Sequence, residues 1–61
     1  MDCSKLVGMD KYSALDFTRK QGYTPRIVKE NGKMFSFYEE AQNVVLLTIR
    51  DGIVTRAEVE Y

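Results

Sequence analysis

Histidine and tryptophan are absent from this chain, and cysteine and proline occur once each. Without histidine, the commonest general base and metal ligand at neutral pH is missing. The single thiol, Cys3, has no partner for an internal disulfide and nothing around which to assemble a zinc cluster. It reads as a near-terminal residue of no special role, with an intermolecular disulfide as the lesser alternative. No serine or threonine has a base beside it in a pattern that would activate a nucleophile. Together these absences point to a non-enzyme with no metal and no cofactor. An excess of either charge is also missing, since nine basic and nine acidic residues are mixed along the chain. With no basic block, sequence-independent grip on phosphates would be weak, so nucleic acid is not an expected partner. No run approaches the roughly 20 apolar residues of a membrane span. Residues 1–9 lack the basic start and apolar stretch of a signal peptide. The expected location is the cytoplasm, the alternative being a secreted mature form with an added Met.

What is present fits one small domain over residues 1–61. A hydrophobic fraction of 44% and a charged fraction of 30% suit a core with a solvated surface rather than disorder. The length lies near the lower limit for folding without disulfides or metal. Leu6-Val7-Gly8 is a short apolar anchor ending in a breaker. Asp10 stands where a helix N-cap belongs, residues 11–21 follow without Gly or Pro, and Gly22 is a natural stop. Ala14, Phe17, Thr18 and Gln21 share one helical face, so Ala14 and Phe17 are expected in the core, with Tyr12 and Leu15 adjacent. Lys11, Asp16, Arg19 and Lys20 read as the wet side.

Pro25 excludes a helix around it, and residues 26–29 read as a strand. Residues 30–33 carry turn chemistry. Val44, Val45, Leu46, Leu47 and Ile49 form a nearly continuous aliphatic run, which suits a central strand. Asp51-Gly52 is a favoured two-residue hairpin turn. After it the pattern alternates, with Ile53, Thr55, Ala57 and Val59 on one face and Val54, Arg56, Glu58 and Glu60 on the other. A hairpin over residues 43–60 is the firmest expectation. The fold class is α+β, one helix packed on a small mixed or antiparallel sheet with a C-terminal hairpin.

Residues 32–43, Gly-Lys-Met-Phe-Ser-Phe-Tyr-Glu-Glu-Ala-Gln-Asn, gather three of the seven aromatic side chains. In so small a domain such a segment is either core strand or displayed surface. One reading makes Asn31-Gly32 a type I′ turn and residues 33–39 a strand, giving a helix on a four-stranded antiparallel meander. Phe35 and Phe37 would then be core, and Met34, Ser36 and Tyr38 would face out.

The order along the whole chain supports a second reading. Leu-Val-Gly precedes a capped helix with Ala six residues after that Gly. An extended strand, a Gly-led segment of about a dozen residues ending in Asn, an aliphatic strand and a final strand follow. This order resembles the potato inhibitor I family, which includes the seed chymotrypsin inhibitors and the eglins, and is similar to related small bacterial inhibitors. The resemblance covers residues 6–59. It implies that the Gly-led segment is an exposed loop that enters a serine protease active site. Tyr38 would then precede the scissile bond, Glu39 would follow it, and Phe37, Ser36 and Glu40 would flank them. In the family, arginines on the strand after the loop bond back to it; the matching positions here are Val44 and Leu46. The small hydroxyl residue usual before Tyr38 is replaced by Phe37, and the C-terminal Gly by Glu60-Tyr61. Loop support would then be apolar, with Phe35 or Phe37 lying on Val44 and Leu46 and Asn43 closing the loop. Burying one such aromatic contributes roughly 1.5–3 kcal/mol, comparable with a few hydrogen bonds at about 1 kcal/mol each.

The expected function is therefore a small protein-binding module, first a serine protease inhibitor directed at a chymotrypsin- or subtilisin-type enzyme. A hydrophobic specificity pocket would suit Tyr38. The alternatives are an intracellular modulator that binds another host or partner protein through residues 34–38, and a homodimer interface. Glu39 and Glu40 are not read as a catalytic pair, since adjacent residues of an extended segment point apart.

Overall fold

A computed structural model describes residues 2–35 and 43–60. It opens with a 3-10 turn at Cys3–Lys5. The Asp2 carboxylate caps this turn, accepting from the Ser4 N–H at 3.0 Å and the Ser4 hydroxyl at 2.6 Å. Leu6 follows and is fully buried, while Val7 is left exposed. The apolar anchor thus rests on one side chain.

Helix α1 (Lys11–Lys20) starts where a carboxylate can satisfy its free amides. Asp10 accepts from the Ser13 N–H at 3.1 Å and the Ser13 hydroxyl at 2.6 Å. At the other end Gly22 turns left-handed, with φ of 82°. The Gly22 N–H then reaches the Arg19 carbonyl at 3.0 Å and the Tyr23 N–H reaches that of Thr18 at 3.1 Å. These two bonds form a Schellman ending, which needs a residue without a Cβ penalty at that position. Ala14 is fully buried as expected, but the second fully buried residue is Thr18, and Phe17 only packs partly on the core. Thr18 is tolerated because its hydroxyl donates to the Ala14 carbonyl at 2.7 Å. Lys11 departs from the expected wet face. It is half-buried, and its Nζ lies 2.8 Å from Glu30 Oε2, tying the start of the helix to the end of the first strand.

Four strands form one sheet: β1 (Thr24–Glu30), β2 (Lys33–Met34), β3 (Val44–Arg50) and β4 (Ile53–Glu60), in the order β2-β1-β3-β4. The sheet is mixed, because β1 and β3 run parallel, Thr24 opposite Val44 through Glu30 opposite Ile49. The antiparallel meander is therefore corrected, since it would have paired β3 with β2. The physical reason lies in what each strand has to bury. Lys33 and Met34 are both exposed and offer no apolar face, whereas the aliphatic run of β3 gains most from a central position between β1 and β4. Phe35, core in the meander reading, is 44% exposed.

Both hairpin turns are type I′. Asn31 and Gly32 have φ of 51° and 81°, and Asp51 and Gly52 have φ of 51° and 78°. The turns lie side by side, since Asn31 Oδ1 accepts the Asp51 N–H at 2.7 Å and the Asn31 N–H donates to the Ile49 carbonyl at 2.9 Å.

Strand β4 does not keep the expected alternation. The register runs Ile49 opposite Val54, then Thr48 opposite Arg56, leaving Thr55 as the extra residue of a β-bulge. The bulge resets the pleat, so Val54 is buried on the helix side with Ala57 and Val59 partly buried there, while Ile53 is 40% exposed. The core beneath α1 is Leu6, Ala14, Val45, Leu47, Ile49 and Val54.

Candidate functional site

The expected recognition residues Ser36, Phe37, Tyr38, Glu39 and Glu40 lie outside the described residues. The structure does describe the residues on either side of this segment. On the leaving side, β2 pairs antiparallel with the end of β1, and the Phe35 N–H donates to the Val28 carbonyl at 3.0 Å. On the returning side, the Thr24 N–H donates to the Asn43 carbonyl at 2.9 Å, immediately before β3 begins. Both anchors are therefore backbone bonds to one strand, β1, at its two flanks. Asn43 adopts φ of 58°, a left-handed conformation that asparagine tolerates better than most residues. Its described contribution to the re-entry is conformational: it redirects the chain into β3.

Of the expected supporting side chains, Val44 is buried and Leu46 half-buried, on the sheet face away from α1. Their alternation with the core residues Val45 and Leu47 places them there. Leu46 lines a shallow concavity of about 260 Å³ with Val28, Thr48, Arg56 and Glu58. Arg56 and Glu58 form an ion pair along its rim. Phe35 and Met34 stand beside this face at the β2 edge, and Met34 is 76% exposed. Arg26 was not singled out from the sequence. It is half-buried, sits in register with Leu46 across the parallel pair, and its guanidinium donates to the Pro25 carbonyl at 3.1 Å. Only strand pairing reveals this placement, because residues 26 and 46 have no sequence relation that marks them as neighbours.

Among the described residues, no three Cys, Asp or Glu side chains converge to hold a metal ion. The shifted titrations are local. Hydrogen bonds from Ser13 hold the Asp10 carboxyl below its ordinary range, and those from Ser4 do the same for Asp2. The hydrogen bond to Glu30 raises the Lys11 ammonium. Burial pushes the Cys3 thiol up, away from the reactive thiolate form.

No protein-family model matches this chain, and no curated protein or solved structure is significantly similar to it.

Proposed function

We propose that this chain is a non-enzymatic protein-binding module that presents residues 36–40 to a serine protease, with Tyr38 before the bond under attack and Glu39 after it. The observation that carries the reading is the anchoring of both flanks on β1, through Phe35 to Val28 and through Asn43 to Thr24. A segment fixed at both ends loses less conformational entropy when it is gripped like a substrate. β1 lies between β2, which precedes the segment, and β3, which follows it, so one strand braces both ends. Arg26 adds support, since it brings a cation beside Leu46 from the neighbouring strand. This cation enters from the strand that pairs in parallel with β3, whereas the family draws its arginines from the strand after the loop itself.

The test is a titration of chymotrypsin and of subtilisin with the chain and with Tyr38→Gly, followed by mass spectrometry over time. Stoichiometric inhibition lost in Tyr38→Gly, with the chain intact or slowly nicked after Tyr38, supports an inhibitor. Rapid cleavage at Tyr38 without inhibition means a substrate, and no inhibition with no cleavage there removes the reading.

A second reading is binding to a different host protein through the aromatic segment of residues 34–38. The exposure of Met34 and Phe35 favours it. Such binding would survive Tyr38→Gly and be lost on Met34→Asp or Phe35→Asp.

A further inference from the structure

Strand β4 is the last strand of the sheet, and its outer edge is treated differently along its length. Near the turn the edge is closed. The Gly8 N–H donates to the Val54 carbonyl at 2.8 Å, the Val54 N–H to the Met9 carbonyl at 2.9 Å, and the Lys11 N–H to the Gly52 carbonyl at 2.8 Å. Asp10 forms a bridge with Ile53 in the same place. These bonds fix which way the backbone faces, because Val54 turns both of its polar groups away from β3. Outward-facing residues recur every second position in an antiparallel ladder, and the bulge at Thr55 adds one. The next outward residues are therefore Ala57 and Val59. Among the described residues, no strand lies beyond them.

We propose that this open edge pairs with the same edge of a second copy of the chain, antiparallel, about a two-fold axis at Ala57. Sequence and charge select that register. A symmetric antiparallel pair must place one residue opposite itself, so the centres available on the open stretch are residues 56, 57, 58 and 59. Centring on Arg56 sets two arginines face to face and runs into Val54, whose edge is already occupied. Centring on Glu58 sets two glutamates face to face. Centring on Val59 puts Glu58 opposite Glu60 on both sides. Like charges directly opposite are unfavourable.

Centring on Ala57 instead puts Arg56 opposite the partner's Glu58, and Glu58 opposite the partner's Arg56. Ala57 meets Ala57, with its outward N–H and carbonyl able to bond reciprocally, while Thr55, the bulged residue, keeps its backbone toward β3 and adds no bond to the partner's Val59. The paired stretch runs over residues 56–58 and is bounded by the bulge at Thr55, beyond which the edge is taken by residues 8 and 9. Arg56 and Glu58 already form an ion pair within one chain, with both side chains at least half exposed. In the pair they would join a ring of four alternating charges on the open face. An edge strand is commonly blunted by charge against unwanted pairing, but these two charges complement themselves only in this register.

The experiment is sedimentation equilibrium of the full chain over a concentration series, with Arg56→Glu, Glu58→Arg and the double exchange Arg56→Glu/Glu58→Arg. Circular dichroism checks that each variant is folded. Each single variant is expected to weaken self-association at least about tenfold, because four like charges then converge. An equimolar mixture of the two single variants is expected to form a heterodimer, and the double exchange to restore the homodimer. Amide exchange at Ala57 should slow as concentration rises in the parent chain. A parent chain that stays monomeric at every concentration would overturn the proposal. So would a dimer unaffected by the single variants, or a mixture that fails to associate. None of these readings involves residue 38 or any protease, so this result and that of the inhibition test are separate.

Discussion

The two hairpins of this molecule start from the same turn chemistry and end differently. Asn31-Gly32 and Asp51-Gly52 both place two consecutive residues at positive φ, and both reverse the chain in two residues. Beyond Asp51-Gly52, β4 runs for eight residues against β3, with Val54 buried and Ala57 and Val59 partly so. Beyond Asn31-Gly32, β2 has two residues and both are exposed. A type I′ turn therefore decides that the chain reverses, while apolar area reaching the core decides how far the returning strand is held. The first hairpin is also not independent of the second, since Asn31 holds the backbone of the other turn.

The comparison breaks most visibly at the core. Leu47, fully buried in β3, is expected to lose about 2–5 kcal/mol as Leu47→Ala, a large part of what so small a domain has. Met34→Ala in β2 should stay within about 0.5 kcal/mol in the same urea titration. Comparable losses at the two sites would mean that β2 is held as firmly as β3.

A smaller effect sharpens it at the turns. A methyl group at Gly32 or Gly52 would meet nothing within 4 Å, so alanine there reports backbone conformation alone. Gly52→Ala should cost about 1–2 kcal/mol, the penalty of a left-handed residue. Gly32→Ala should cost less by equilibrium unfolding, because a two-residue strand can fray without opening the core. It should instead speed amide exchange at Phe35. Equal costs would show the two hairpins opening together.

The smallest effect concerns the link between them. Asn31→Gly keeps the positive φ and removes the 2.7 Å bond to Asp51. The expected loss is about 0.5–1 kcal/mol by chemical denaturation. No change would mean that the turns are adjacent without being coupled.

Much of the local architecture was legible from residues with a one-to-one physical meaning. Asp10 and Gly22 bounded α1 because a carboxylate satisfies free amides and only glycine enters the left-handed region cheaply. Asp51-Gly52 fixed the second hairpin for the same kind of reason. Three features were not legible. The bulge at Thr55 moved Val54 to the core face against the simple alternation, because a single extra residue leaves no compositional mark. The partner of Lys11, Glu30, lies 19 positions away, and only folding brings them together. Arg26 reached the face of Leu46 through a parallel pairing that no turn motif announces. At the candidate site, Val44 and Leu46 are expected from the sequence as loop support, but Val28, Thr48 and the Arg56–Glu58 rim join Leu46 only through the register.

By itself, then, the sequence determined where the chain turns, where its helix starts and stops, and that an aliphatic strand must lie inside. Those are short-range consequences of φ preference, capping and burial. The tertiary structure alone decided the strand order, the position of β1 between β2 and β3 that puts both flanks of residues 36–42 on it, and which edge of β4 stays open. Such choices depend on competition between strands for the same buried surface. That competition is resolved only when the whole chain is assembled.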